Sequence, residues 1–233
     1  MPRRSDYRSN ALSLARVREA IAAHDHAKAI GCPLNFTVDI HWHWTRFAKE
    51  GVWNRRKAAP ALLESLRHWL AYYGVGFFSI AVRECPPSST EGEHLHLLVH
   101  VPSDLQEDFL QHTKDFLRGT RRHRKRALAW AATYNDGKLA YILKGSTPPA
   151  RDLLTAMFDT EYERNKFLEG TKEKASQGVI YGKRLLISQA LGRGARLGAN
   201  SVTVHHARRE VPCVAALMTA LPPKAAIRLA GVE

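Results

Sequence analysis

Residues Gly76 to Pro102 read "GFFSIAVRECPPSSTEGEHLHLLVHVP". Two runs of aliphatic, aromatic and β-branched residues flank a stretch of Pro, Ser, Thr, Glu and Gly, the pattern of two strands joined by a loop. "GFFSIAVRE" is one strand, "CPPSSTEGE" the loop, and "HLHLLVHVP" a strand closed by Pro102. A hairpin-like connection makes the strands neighbours, so Glu84 at the end of the first can lie beside His94 and His96 in the second. Residues two apart in a strand face the same way about 7 Å apart, which suits two ligands of one cation. Two imidazoles and a carboxylate would leave coordination positions open for water or a phosphate oxygen. The plainer reading of the same pair is two half-buried histidines satisfied by water and backbone.

The elements on either side follow from periodicity. Residues 9–30, "SNALSLARVREAIAAHDHAKAI", repeat apolar residues at helical spacing and stop at Gly31 and Pro33. "LNFTVDIHWHW" reads as a strand, and "APALLESLRHWLAYYG" as a helix with Leu62, Leu66, Trp69 and Leu70 on one side. Beyond Pro102, Ser103 and Asp104 offer caps for the helix "DLQEDFLQHTKDFLRG". "ALAWAATYND" adds a strand with a turn at Asn135-Asp136-Gly137, and "GKLAYILKG" a short helix before Thr147-Pro148-Pro149. The order strand, helix, strand, strand, helix predicts an α+β fold in which helices cover an antiparallel sheet. After the prolines the chain stays basic and helical in pattern, through "LLTAMFDTEYERNKFLEGTKEKA" and "YGKRLLISQALGRGARLG".

Composition narrows the function. The chain has 233 residues, 45% hydrophobic and 24% charged, enough for a core of generous size. Its net charge of +13 points to a polyanion, usually nucleic acid. No apolar run approaches the roughly 18–20 residues of a membrane span, and "MPRRSDYRSN" lacks the apolar segment of a secretory signal. Three separated cysteines form neither a disulfide framework nor a CxxC knuckle, so a cytoplasmic setting is expected. A GxxxxGK[ST] phosphate loop is absent, which argues against an NTPase motor.

Twelve histidines would give roughly half an HxH pair by chance, and the chain has three. His24 and His26 fall in a helix and point about 200° apart, so they cannot share a metal. His41 and His43 would share a strand face with Asp39, between tryptophans at 42 and 44, and read as surface or half-buried side chains. A further pattern lies in "LAYILKG", where Leu139, Ile142 and Leu143 define a buried stripe within about 100°. Tyr141 lies opposite that stripe, with Lys144 three residues on, so phenol and ammonium are expected to share the polar face.

Glu84, His94-Leu95-His96 and Tyr141-x-x-Lys144, in this order on these elements, resemble the HUH endonucleases. The match is to their single-tyrosine replication initiators (Rep proteins) of rolling-circle plasmids and single-stranded DNA viruses. Phe36, Thr37 and Val38 in "NFTVDI" loosely resemble the family's first strand motif, and "GVIYGKRLLISQALG" a C-terminal stretch of bacterial members. The resemblance covers roughly residues 33–147 and lacks the helicase module of larger viral initiators. Tyr134 precedes the Asn135-Asp136-Gly137 turn, which leaves one nucleophile.

The resemblance implies a ferredoxin-like/RRM-like antiparallel sheet with helices on one face, and a helical basic C-terminal region. An N-terminal helix over 1–31, a nuclease domain over 32–147 and a basic region over 148–233 are the expected parts. It further implies Glu84, His94 and His96 as ligands of Mg²⁺ or Mn²⁺, although His₂Glu alone would equally suit Zn²⁺. Tyr141 would be the nucleophile that nicks single-stranded DNA at a hairpin origin, assisted by Lys144 and leaving a 5′-phosphotyrosine and a free 3′-hydroxyl. Host helicase and polymerase would be partners, with no membrane involved. A single-tyrosine transposase and a non-catalytic single-strand binder remain the alternatives.

The run "RGTRRHRKR" holds six Lys or Arg in nine residues: Arg118, Arg121, Arg122, Arg124, Lys125 and Arg126. It is expected to track phosphates, with Lys183, Arg184, Arg193 and Arg196 extending the basic character.

Overall fold

The computed structural model describes residues 8–49, 52–85, 92–118, 127–132, 137–172 and 178–202. Its centre is a five-stranded antiparallel sheet. Across the sheet run β5 (Leu128–Ala132), β2 (Phe36–His41), β4 (His94–Val99), β3 (Ser79–Glu84) and β7 (Leu185–Ile187). A separate two-stranded pair joins β1 (Arg8–Ser9) to β6 (Ile180–Tyr181). Every residue of β3 and β4 is buried, as expected of strands covered on both faces.

Two long helices, α2 (Val52–Tyr72) and α3 (Gln106–Leu117), occupy one face of the sheet. Leu62, Leu66 and Leu70 of α2 and Phe109 and Leu117 of α3 close over Phe36, Val38, Ile40, Leu95 and Leu97. In chain order β2–α2–β3–β4–α3–β5, the four strands lie fourth, first, third, second in the sheet. That arrangement is compatible with the ferredoxin-like expectation.

The expectation of helices on one face is corrected by the opposite side. There α1 (Leu14–Ala29), α4 (Gly137–Ile142) and α5 (Pro148–Thr155) pack over Ile80, Val82 and Leu98. The buried stripe of α1 is Val17, Ala20, Ala23 and Ala27, small side chains that let its backbone approach the sheet closely. Helix α1 begins at the Ser13 cap, whose side chain accepts from the Arg16 N–H. The segments outside 32–147 therefore help build the core: α1 lies on the sheet, and β7 is its edge strand beside β3. Helices α6 (Glu161–Lys172) and α7 (Arg193–Val202) complete the described chain.

Two buried guanidinium groups tie the N- and C-terminal segments to the end of β3. Arg83 donates to Glu93 Oε1 at 2.6 Å and to the carbonyls of Tyr181 and Lys183. Arg184 donates to the carbonyls of Ser9, Gly178 and Arg83. Gly178, at φ +65°, passes so close to the Cys85 carbonyl that a Cβ would overlap it. Among the described residues no helix is long and apolar enough to cross a membrane.

Candidate metal and tyrosine site

Alternation along the strands sorts the site residues. Odd–even pairing puts Phe36, Val38 and Ile40 of β2 in the core under α2, so Asp39 and His41 face the opposite side. The antiparallel register sets His41 and Glu84 on either side of His94, and Asp39 beside His96. Five polar side chains thus meet on one face at one end of the sheet. Helix α4 comes down over this end, held by buried Leu139, Ala140 and Ile142, and presents Tyr141 to solvent at 44% exposure.

Three nitrogens converge on Glu84 Oε2: His96 Nε2 at 3.1 Å, His94 Nε2 at 3.3 Å and the Lys144 ammonium at 2.9 Å. Glu84, His94 and His96 are buried, and each offers a ligand atom within 4.8 Å of the others. Behind them His96 Nδ1 lies 2.6 Å from Asp39 Oδ1, and Lys138 Nζ lies 3.2 Å from Asp39 Oδ2. The His41 ring stacks on His94 at 5.1 Å, and the Tyr141 ring meets His96 edge-on at 5.8 Å. Lys144 and Lys138 stand 4.2 and 4.8 Å from the centre of the Tyr141 ring.

The electrostatics follow from this pairing. Burial alone would raise the Glu84 carboxyl, but hydrogen bonds from His94 and His96 and the Lys144 charge hold it well below the usual carboxylate range. Burial opposes Asp39 ionisation in the same way, and His96 and Lys138 outweigh it. His96 moves the other way: burial disfavours its cation, yet Asp39 and Glu84 on its two nitrogens raise it above its ordinary value of 6.5. Both carboxyls are therefore ionised near neutral pH.

No family model, curated protein or solved structure matches this chain. What the site can do rests on its own chemistry. Glu84 Oε1 and His94 Nδ1 are buried with no hydrogen-bond partner among the described residues, although buried polar atoms are ordinarily satisfied. Two imidazoles and an ionised carboxylate with a spare oxygen fit a divalent cation, and Asp39 stands behind His96 as carboxylates commonly stand behind the histidines of metal centres. The donor set does not decide which cation binds.

The structure brings together Glu84, His94, His96, Tyr141 and Lys144 as the sequence order anticipates. Lys144 differs in detail: it lies beyond the end of α4 and is 6% exposed, so it does not share the open polar face with Tyr141. His41 and His43 do not share a face. The chain leaves β2 for a 3-10 turn at Trp42–Trp44, where Thr45 closes the turn on the Trp42 carbonyl and Trp42 packs against Phe47. His41 reaches the site and His43 stays exposed. Lys138, which the sequence reading passed over, has a signal in hindsight: Lys138, Tyr141 and Lys144 recur every three residues.

The basic residues fare unevenly. Arg118 caps α3 in the left-handed conformation at φ 32°, and Lys183 is exposed. Arg121, Arg122, Arg124, Lys125 and Arg126 lie outside the described residues, as does Tyr134. Arg184 as a phosphate contact is corrected: it is 3% exposed and its two terminal nitrogens donate to backbone carbonyls.

Proposed function

We propose that this chain is a metal-assisted, single-tyrosine endonuclease and strand transferase of single-stranded DNA, of the HUH kind, serving replication initiation. The observation that carries the reading is the position of Tyr141. Half-exposed, it lies edge-on against His96 with two ammonium groups 4.2 and 4.8 Å from its ring centre, where a phosphate diester could reach it. A divalent cation, Mg²⁺ or Mn²⁺, held by Glu84, His94 and His96 would supply Lewis-acid polarisation of the scissile phosphate.

The chain's own residues account for the rest. The nucleophile is the Tyr141 phenol, with the Lys144 and Lys138 ammonium groups 4.2 and 4.8 Å from the centre of its ring. Tyr141 Oη forms a bond to phosphorus as the bond from phosphorus to the 3′-oxygen breaks. The phenol proton passes to solvent, and the leaving 3′-oxygen takes one up as a hydroxyl. One phosphodiester replaces another, so the strand can be rejoined by the reverse step without ATP. Lys138, the more exposed of the two ammonium groups, also neutralises charge on the non-bridging oxygens, while buried Lys144 balances Glu84. Buried Leu139 and Ile142 fix the helix that carries the nucleophile.

Incubation of the full chain with labelled single-stranded hairpin DNA and Mn²⁺ tests the reading. The expected result is a covalent adduct that survives denaturation and maps to the peptide containing Tyr141. Cleavage without an adduct would instead point to a water nucleophile, and binding without cleavage to a plain single-strand binder.

A further inference from the structure

Strand β5 lies at the edge of the sheet and carries an exposed tryptophan. Trp130, in its middle, is 54% exposed, whereas an indole of its size is ordinarily mostly buried. Its ring is nonetheless fixed: it lies on Phe36 at 6.0 Å and 23°, and Phe36 is locked edge-on against Phe109 in the core. One face of the indole is held by the protein while the ring remains half open to solvent.

The same strand is continuous with the metal and tyrosine site. Ala129 pairs with Asp39 and Ala131 with Thr37, so the side of β5 beside the site carries methyl groups only, both exposed. Strands lie about 4.8 Å apart, which puts β5 about 10 Å from β4 and its histidines. A strand of DNA with a phosphate at Tyr141 could cross these alanines and turn over the sheet edge onto Trp130. Lys138, tied to Asp39 one strand in from β5, gives that path a positive charge. The most basic run of the sequence also ends at Arg126, two positions before β5 begins.

We propose that Trp130 is a stacking platform for one unpaired nucleobase of the strand held at Tyr141. The inference rests on the reading of the site as one that acts on single-stranded DNA, and adds to it a subsite that distinguishes unpaired from paired bases. A base in a duplex has both faces covered by its neighbours, whereas an unpaired base has a face to give. Stacking on an aromatic side chain is tolerant of base identity, so the subsite confers single-strand preference with little sequence preference.

Fluorescence anisotropy of a labelled hairpin with a single-stranded arm, titrated with the full chain in EDTA, measures binding without cleavage. Trp130→Ala should weaken binding by about 5- to 150-fold, the usual range for one stacked base, while Trp130→Phe retains most of the affinity. Affinity for a blunt duplex and for Mn²⁺ should be unchanged in both variants, and circular dichroism should show the wild-type fold. Equal loss on duplex and single strand would overturn the platform, as would wild-type affinity in Trp130→Ala. A Trp130→Ala effect confined to self-association, read by light scattering, would assign the edge to a second copy and also overturn it. If the wild-type chain binds no single-stranded DNA, the reading of the site itself fails, which separates the two failures.

Discussion

The Lys144 ammonium lies 2.9 Å from Glu84 Oε2, the same oxygen on which His94 and His96 converge. Without a metal ion, Lys144 therefore supplies the positive charge that this buried carboxylate needs. A divalent cation entering between Glu84, His94 and His96 competes with it directly. Lys144→Met should raise Mn²⁺ affinity by about 5- to 30-fold, as expected when an opposing ion pair of ~1–2 kcal/mol is removed. Strand cleavage should fall at the same time. Calorimetric titration with Mn²⁺ measures the first effect, and weaker Mn²⁺ binding in the variant would show that Lys144 supports the cation instead of opposing it.

Asp39 holds His96 from behind through Nδ1 and leaves Nε2 turned to Glu84. Asp39→Asn retains the shape but lets the amide present either a donor or an acceptor to the ring. Loss of such a partner typically costs about 10- to 100-fold in metal affinity. Mn²⁺ titration of Asp39→Asn should show a loss of that size with an unchanged circular dichroism spectrum. Wild-type affinity would mean that ring packing against Tyr141 orients His96 without help.

The raised pKa of His96 couples metal binding to pH. In the metal-free protein the His96 cation is stabilised by Asp39 and Glu84, so its contribution to folding is fully present below 6.5 and is lost as pH rises through the raised value. A metal ion must displace that proton. Mn²⁺ affinity should therefore climb with pH up to the raised value, by at most about tenfold per pH unit, and then level off. Calorimetry in buffers of different ionisation enthalpy should find a proton released on binding near pH 6.5; none released would contradict the protonated state of the free site.

Tyr141→Phe removes one oxygen from a half-exposed ring, so stability and DNA binding should hardly change. Nicking and the covalent adduct should both disappear. Tyr134→Phe serves as the control and should cut like the wild type. Normal cutting by the Tyr141 variant would sink the transesterification reading.

The basic residues should separate into two groups. Arg184→Met leaves three backbone carbonyls short of their donors, at about 1–3 kcal/mol for each left unsatisfied, and should lower the melting temperature markedly. The salt dependence of DNA binding by the folded variant should stay the same. Neutralising Arg121, Arg122 and Arg124 should instead leave stability alone and flatten the salt dependence, by about 0.7 in slope per lost single-strand contact. A flattened slope in Arg184→Met would return that residue to the DNA surface.

Periodicity in the sequence determined the local structure, because hydrophobic spacing acts over a few residues. The stretch from Gly76 to Pro102 reads as two strands and a loop, and β3 and β4 follow it, with Glu84 paired to His94. The helix over Tyr141 and the strand from Phe36 are also legible, since alternation and a buried stripe mark them. What only the tertiary structure decided is which distant segments share a face. Asp39 meets His96 from 57 positions away, and Lys144 meets Glu84 from 60, through register and packing that no local spacing encodes. Trp42 stays on the core face that alternation gives it, but the backbone turns there, closed by Thr45 on the Trp42 carbonyl, and that turn carries His43 away from His41. Arg184 looks like surface charge in the sequence, and only the folded chain brings three carbonyls around it. A charged side chain is read as exposed until the fold supplies enough partners to replace its water, and those partners come from segments up to 175 positions away.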